Sequence, residues 1–239
     1  WPSYWMGLPP MHYATHAMAP LLAISGTRAE RVTCLGSGTM RPELHAQYGN
    51  GYPIETAQLS LVARVGMHSS LTPQPSREFG FGASNAPLAA EVTRSLFHTA
   101  KAYTEQFTLY GERASFEWQQ MEDDDPVLFV MEEQQDGRAT PVRTERHRCP
   151  DRPELLPEPI RRFTQRGVYD ESRPHLSFMQ GGGHGGSHPH LVHEFISAVL
   201  EEREPAIGAR FAAQITAAGI CAHESAQKGG EPVTVPSFA

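Results

Sequence analysis

The segment Gly181 to Phe195, GGGHGGSHPHLVHEF, concentrates residue types that do chemistry: five glycines, and four histidines at positions 184, 188, 190 and 193. Glycine lets a backbone approach a ligand closely, and imidazole titrates or coordinates near neutral pH. Three chemistries compete for it. Gly181, Gly183 and Gly186 satisfy GxGxxG, and Glu201, Glu202 and Glu204 follow at about the distance of a ribose-binding carboxylate. A dinucleotide site, however, needs a strand before that loop and another after its helix, so that the pyrophosphate sits at the edge of a parallel sheet. Here the next periodic segment is a second helix, which argues against it. A metal centre is the second reading. His190 and His193 stand i, i+3 on one helix and His184 and His188 can join from the loop, although no HExxH pattern is present. The third is a polyhydroxylated ligand, contacted by loop amides and by the imidazoles of the segment.

The elements that position these residues follow from periodicity. Tyr13 to Ser25 reads as a short apolar helix ended by Gly26. Six β-rich runs follow without intervening helices: 30 to 35, 58 to 65, 90 to 98, 103 to 110, 114 to 120 and 127 to 133. That order predicts an α+β fold: an open, largely antiparallel sheet of six to eight strands with helices on one face. Gly111-Glu112-Arg113 fits a hairpin loop and Glu122 to Pro126 a turn. His68 to Pro87 has the composition of an inserted loop, and Arg138 to Pro159 reads as a polar crossover.

Two helices close the chain. Ser187 is positioned to cap the first, with Pro189 in its first turn, and Leu191, Val192, Phe195, Ile196, Val199 and Leu200 form an apolar stripe expected to pack on something. The second, about 209 to 228, is rich in Ala and Gly, which permits close backbone approach, and stops at Gly229-Gly230. EPVTVPSF then reads as an edge strand. The 239 residues are expected to form a single domain.

Composition removes several functions. A net charge of −7, with no basic run longer than Arg161-Arg162, argues against a nucleic-acid surface. Three scattered cysteines, Cys34, Cys149 and Cys221, support neither a disulfide framework nor a zinc ribbon, and reduced thiols favour the cytoplasm. No apolar run approaches the roughly 18 residues of a membrane span.

Four ordered segments carry a family resemblance: GLPPMHYATHAMAP, YTEQFTLYGERASFEW, GGSHPHLVHEF and AAGICAHESAQKGGEPVTVP. Together they resemble the C-terminal half of the glucose-fructose oxidoreductase, inositol dehydrogenase and MocA (Gfo/Idh/MocA) family. The resemblance implies a substrate-binding and oligomerisation domain, 1 to 239, of an NAD(P)-dependent sugar or cyclitol oxidoreductase. It also implies a homo-oligomer, with NAD or NADP bound by a Rossmann domain or nucleotide-binding subunit outside this chain. The family's catalytic lysine lies in an EKP-type motif, and neither Lys101 nor Lys228 stands beside one. The catalytic histidine maps to His16, within a YxTHxxxP pattern that also resembles the NAD-dependent glycosidase branch, where oxidation is followed by elimination. His12 stands where many dehydrogenases of the family carry aspartate. His12, Tyr13, His184, Ser187 and His188 are the implied substrate contacts, and Trp1, Tyr4 and Trp5 a candidate stacking wall. Such a domain is not expected to turn over alone. A non-catalytic partner subunit is the alternative from another class, and a histidine-cluster metalloenzyme the third.

Overall fold

A computed structural model describes residues 5–63, 88–95, 99–100, 104–121, 124–134, 137, 139–148, 152–167 and 183–238. The expected inserted loop, Trp1, Tyr4 and Gly181 lie outside these residues. The chain divides into two compact units, residues 1–146 with 209–239, and residues 147–208.

In the first unit, a 3-10 turn at Pro10–Tyr13 leads into α1, Thr15–Ser25, which ends on Gly26 in the left-handed conformation, as the sequence predicts. Next come β1 (Thr27–Ser37), a short helix α2 (Pro42–Tyr48), β2 (Ile54–Ala63) and β3 (Leu88–Ser95). β8 (Val233–Thr234) is the expected edge strand, and the first sheet runs β3-β2-β1-β8, all antiparallel. A second antiparallel meander holds β4 (Thr108–Tyr110), β5 (Ala114–Glu117), β6 (Val127–Met131) and β7 (Val142–Arg146). The α+β class and the eight strands among the described residues match the sequence reading, with the strands shared between two sheets. The strand β7 falls in the segment read as a polar crossover, because its residues Val-Arg-Thr-Glu-Arg carry one apolar side chain and give no period-2 signal.

Side-chain parity decides which face of the first sheet is covered. On β2, Glu55, Ala57, Leu59 and Leu61 are buried, and on β3 so are Val92 and Arg94. On β1 the buried set changes parity, from Thr27 and Ala29 to Val32 and Cys34. A bulge between Ala29 and Arg31 inserts one residue and resets the alternation. Against this face lies α5, Ala209–Gln227, through Phe211, Ile215, Ala218, Ala222 and Ala226, with Met18 and Leu22 of α1 in the same core. Ser225 ties α5 to β1 by accepting the Cys34 N–H at 2.9 Å and donating to the Glu231 carbonyl at 2.7 Å.

Gly219 marks the closest approach. A Cβ there would stand 2.2 Å from the Met11 carbonyl oxygen, which is backbone and cannot swing aside. In an open helix Gly→Ala gains up to about 1 kcal/mol; here G219A is expected to reverse that sign, costing about 1–3 kcal/mol through overpacking. A urea midpoint at or above that of the wild type would show that the turn and α5 are not in contact.

The second unit holds 3-10 turns at Pro153–Leu155, Arg162–Thr164 and Gly183–Gly186, the short α3 (Glu158–Arg161), and α4 (His188–Leu200). Two expectations need correcting here. Ser187 sits at the N-cap with Pro189 in the first turn, but its own backbone is helical (φ −76°, ψ −23°) and its side chain makes no cap bond. A capping side chain reaches back only from an extended backbone. The α4 stripe does not pack inward either: Leu191, Val192, Phe195, Ile196, Val199 and Leu200 are 49–78% exposed, and Ala198 alone is buried.

Candidate functional site

His12, Tyr13 and His16 are brought together at the start of α1. The Tyr13 and His16 rings stack with centroids 4.7 Å apart, Trp5 packs on Tyr13 at 5.5 Å, and the Arg94 guanidinium lies over the Tyr13 ring at 5.6 Å. His16 is gripped at both nitrogens: Nδ1 is 3.4 Å from Thr15 Oγ1, and Nε2 is 3.4 Å from Glu105 Oε1. Glu105 precedes β4, inside the run expected as a strand from 103 to 110. Side-chain exposures of 29% for His16 and 21% for Glu105 leave the pair reachable by a ligand. A carboxylate beside an imidazole favours its protonated form, so the arrangement suits an imidazole that must accept a proton.

Beneath this rim lies a buried pair the sequence reading missed. Glu55, 0% exposed, stands on the inward face of β2; its Oε1 is 2.6 Å from Nδ1 of His223 on α5, and its Oε2 accepts the Met11 N–H at 2.9 Å. Both carboxylate oxygens are therefore used, one holding α5 and the other holding the turn that carries His12. The ring of His223 meets that of His12 edge-on, with centroids 4.9 Å apart. Shielding from water, then the neighbouring His223, hold the His12 pKa below the ordinary 6.5, while Glu55 pulls the other way. Cys34 shares the buried face, and burial, with the Glu55 charge second, pushes its thiol up to about 12. It is an inert core thiol rather than a nucleophile.

In the second unit, His184 and His188 lie side by side, with ring centroids 5.1 Å apart. His184 is exposed and adopts a left-handed backbone (φ 48°), unusual for a side chain with a Cβ. Gly186 is needed for packing: a Cβ there would come 2.6 Å from the Thr164 carbonyl oxygen. Gly185, at φ 64°, faces open space. Among the described residues no three of His184, His188, His190 and His193 gather their ligand atoms at one point. Glu194 is structural: Arg203 binds both its oxygens, at 2.7 and 2.9 Å, and the Ala206 N–H donates to it at 2.8 Å. Those contacts, the Arg203 guanidinium first, bring its carboxyl down to about 2.

Among the described residues every strand pair is antiparallel, so no βαβ cradle for a dinucleotide is present. No helix there is long and apolar enough to cross a membrane.

The sequence matches no family model and no curated protein. Two of the solved structures that resemble it contain a nicotinamide cofactor. One is an oxidoreductase from Agrobacterium radiobacter in complex with NAD+, L-tartaric acid and magnesium (14% identity, 93% of this chain and 48% of that one, TM-score 0.48). Another is levoglucosan dehydrogenase in complex with NADH (16% identity, 88% of this chain and 46% of that one, TM-score 0.48). The chain spans about half the length of each.

Proposed function

We propose that this chain is the substrate-binding domain of an NAD(P)-dependent sugar or cyclitol oxidoreductase, with His16 as the base that takes the hydroxyl proton. The observation that carries the reading is the His16–Glu105 pair at 3.4 Å, beside an aromatic wall of Tyr13 and Trp5. A polyol presents carbon faces that stack on rings and hydroxyls that need donors and acceptors, and this rim offers both. When His16 becomes imidazolium, Glu105 stabilises the charge. The hydride acceptor would be a nicotinamide held outside this chain. His184, Ser187 and His188 are proposed sugar contacts within their own unit. In the glycosidase branch the same proton removal would precede elimination.

The test is binding. Titrating myo-inositol or an aldohexose into the protein is expected to move the ring resonances of Tyr13 and His16 together, with saturation. Absence of any perturbation at that rim across cyclitols, aldohexoses and their derivatives would remove the reading.

A non-catalytic partner subunit is the second reading, favoured by the exposed apolar stripe of α4 and by the uncovered outer face of the first sheet. That face carries a shallow hollow of about 410 Å3 lined by Arg31, Thr33, Gln58, Ser60 and Ala89, and is our proposed contact surface for a homo-oligomer.

A further inference from the structure

We infer that Glu55 and His223 are a positioning pair for His12, fixing that ring, one helical turn ahead of His16, as the second group that exchanges protons with substrate. The inference rests on the proton-transfer reading of the α1 rim, and it is carried by a chain of contacts that starts in the core. The Glu55 carboxylate has two oxygens and two occupied directions. Through Oε2 it holds the backbone N–H of Met11, the residue before His12. Through Oε1 it accepts from Nδ1 of His223, which fixes the plane and tautomer of that ring, and the ring packs T-shaped with that of His12. Gly219, one turn earlier on α5, lets the helix close on the same turn. A carboxylate is costly to bury, and both oxygens of this one are engaged, one by the Met11 N–H and the other by the His223 ring, so that it ties the turn carrying His12 to α5.

The elements packed against this turn are α5, β2 and β3, and the charged groups on their inward faces are His223, Glu55 and Arg94. Arg94 is register-paired with Glu55 across the sheet. The balance at His12 favours the neutral ring, because shielding from water and His223 oppose its protonation more than Glu55 supports it. A neutral imidazole with one side open is a proton acceptor at physiological pH.

The sign of the test follows. In H223Q a neutral amide can still donate to Glu55, but the like-charged neighbour is gone and the carboxylate stays, so His12 should titrate higher than in the wild type. The measurement is a ring nitrogen–proton NMR titration of histidine-labelled protein without substrate, with amide spectra confirming the fold. A His12 midpoint unchanged from the wild type in H223Q overturns the inference, and the part played in proton exchange, which a merely structural pair would lack, is read from turnover. If H223Q does not fold, the wild-type titration decides: the inference requires a His12 midpoint below 6.5 and a His223 ring protonated at Nδ1. The role in proton exchange is read separately, from the acid limb of kcat/KM for polyol oxidation in the polypeptide as its host makes it. That limb should move up with His12 in H223Q. A shifted titration with an unmoved limb would leave the pair as an anchor and overturn its part in proton exchange, whereas absence of all turnover would count against the proposed function and leave the titration standing.

Discussion

Replacing His16 with alanine is expected to lower kcat for polyol oxidation by about 10²- to 10⁴-fold, the range for removing a positioned general base, with KM changed far less. The expectation comes from geometry. His16 is held between Thr15 and Glu105, stacked on Tyr13, and 29% exposed, so it is oriented without being sealed off. Alanine is the best helix former and the position is not in the core, so the fold should survive the change. Glu105→Gln removes the countercharge but keeps a polar group of the same shape, and a smaller loss of kcat is expected. The measurement is steady-state nicotinamide reduction by the polypeptide as its host makes it. An H16A protein with wild-type kcat would transfer the weight to the reading in which this chain is a non-catalytic partner.

The largest expected effect on stability is at Glu55. E55A removes one member of a buried pair and leaves His223 and the Met11 N–H without their acceptor, a loss of about 3–5 kcal/mol for breaking a buried charged contact. Denaturant unfolding checks this. Glu55→Gln is the informative control, because an amide oxygen can still accept from Met11 or from His223, though not from both. Its loss should fall between those of wild type and E55A. An E55A protein as stable as the wild type would mean that the carboxylate bonds contribute no net stability and that the turn is held by packing alone.

How much of this was legible beforehand differs by level. The helix α1 and its glycine stop, most strands, the hairpin at Gly111 and the edge strand after Gly230 follow local rules, namely periodicity, capping and turn chemistry, and they appear in the structure. The short helix α2 and strand β7 escaped because neither has a long apolar period. The α4 stripe shows the opposite failure: the period is helical, yet a pattern states which residues share a face and says nothing about what covers it. At the candidate site, His12, Tyr13 and His16 are singled out by the family resemblance of GLPPMHYATHAMAP and not by spacing, and they lie together because they are neighbours in sequence. Glu105, Glu55 and His223 were not legible in this way, since they come from a loop, a strand and a helix that only the fold brings near them. One signal was available for Glu55. In Glu55-Thr56-Ala57-Gln58-Leu59-Ser60-Leu61 the acid shares parity with Ala57, Leu59 and Leu61, so a carboxylate had to face the core. An acid there needs a partner, and His223 beside the apolar face of α5 was a candidate.

The central claim is that the rim of α1 takes a proton from a polyol whose hydride leaves to a nicotinamide. The most direct measurement is reduction of NAD+ and NADP+ by the polypeptide purified from its own host, across cyclitols, aldohexoses and their derivatives, beside its H16A variant. The account predicts nicotinamide reduction with at least one of these polyols, lost in H16A. Folded protein that reduces neither cofactor with any of them, or whose reduction persists undiminished in H16A, would contradict it.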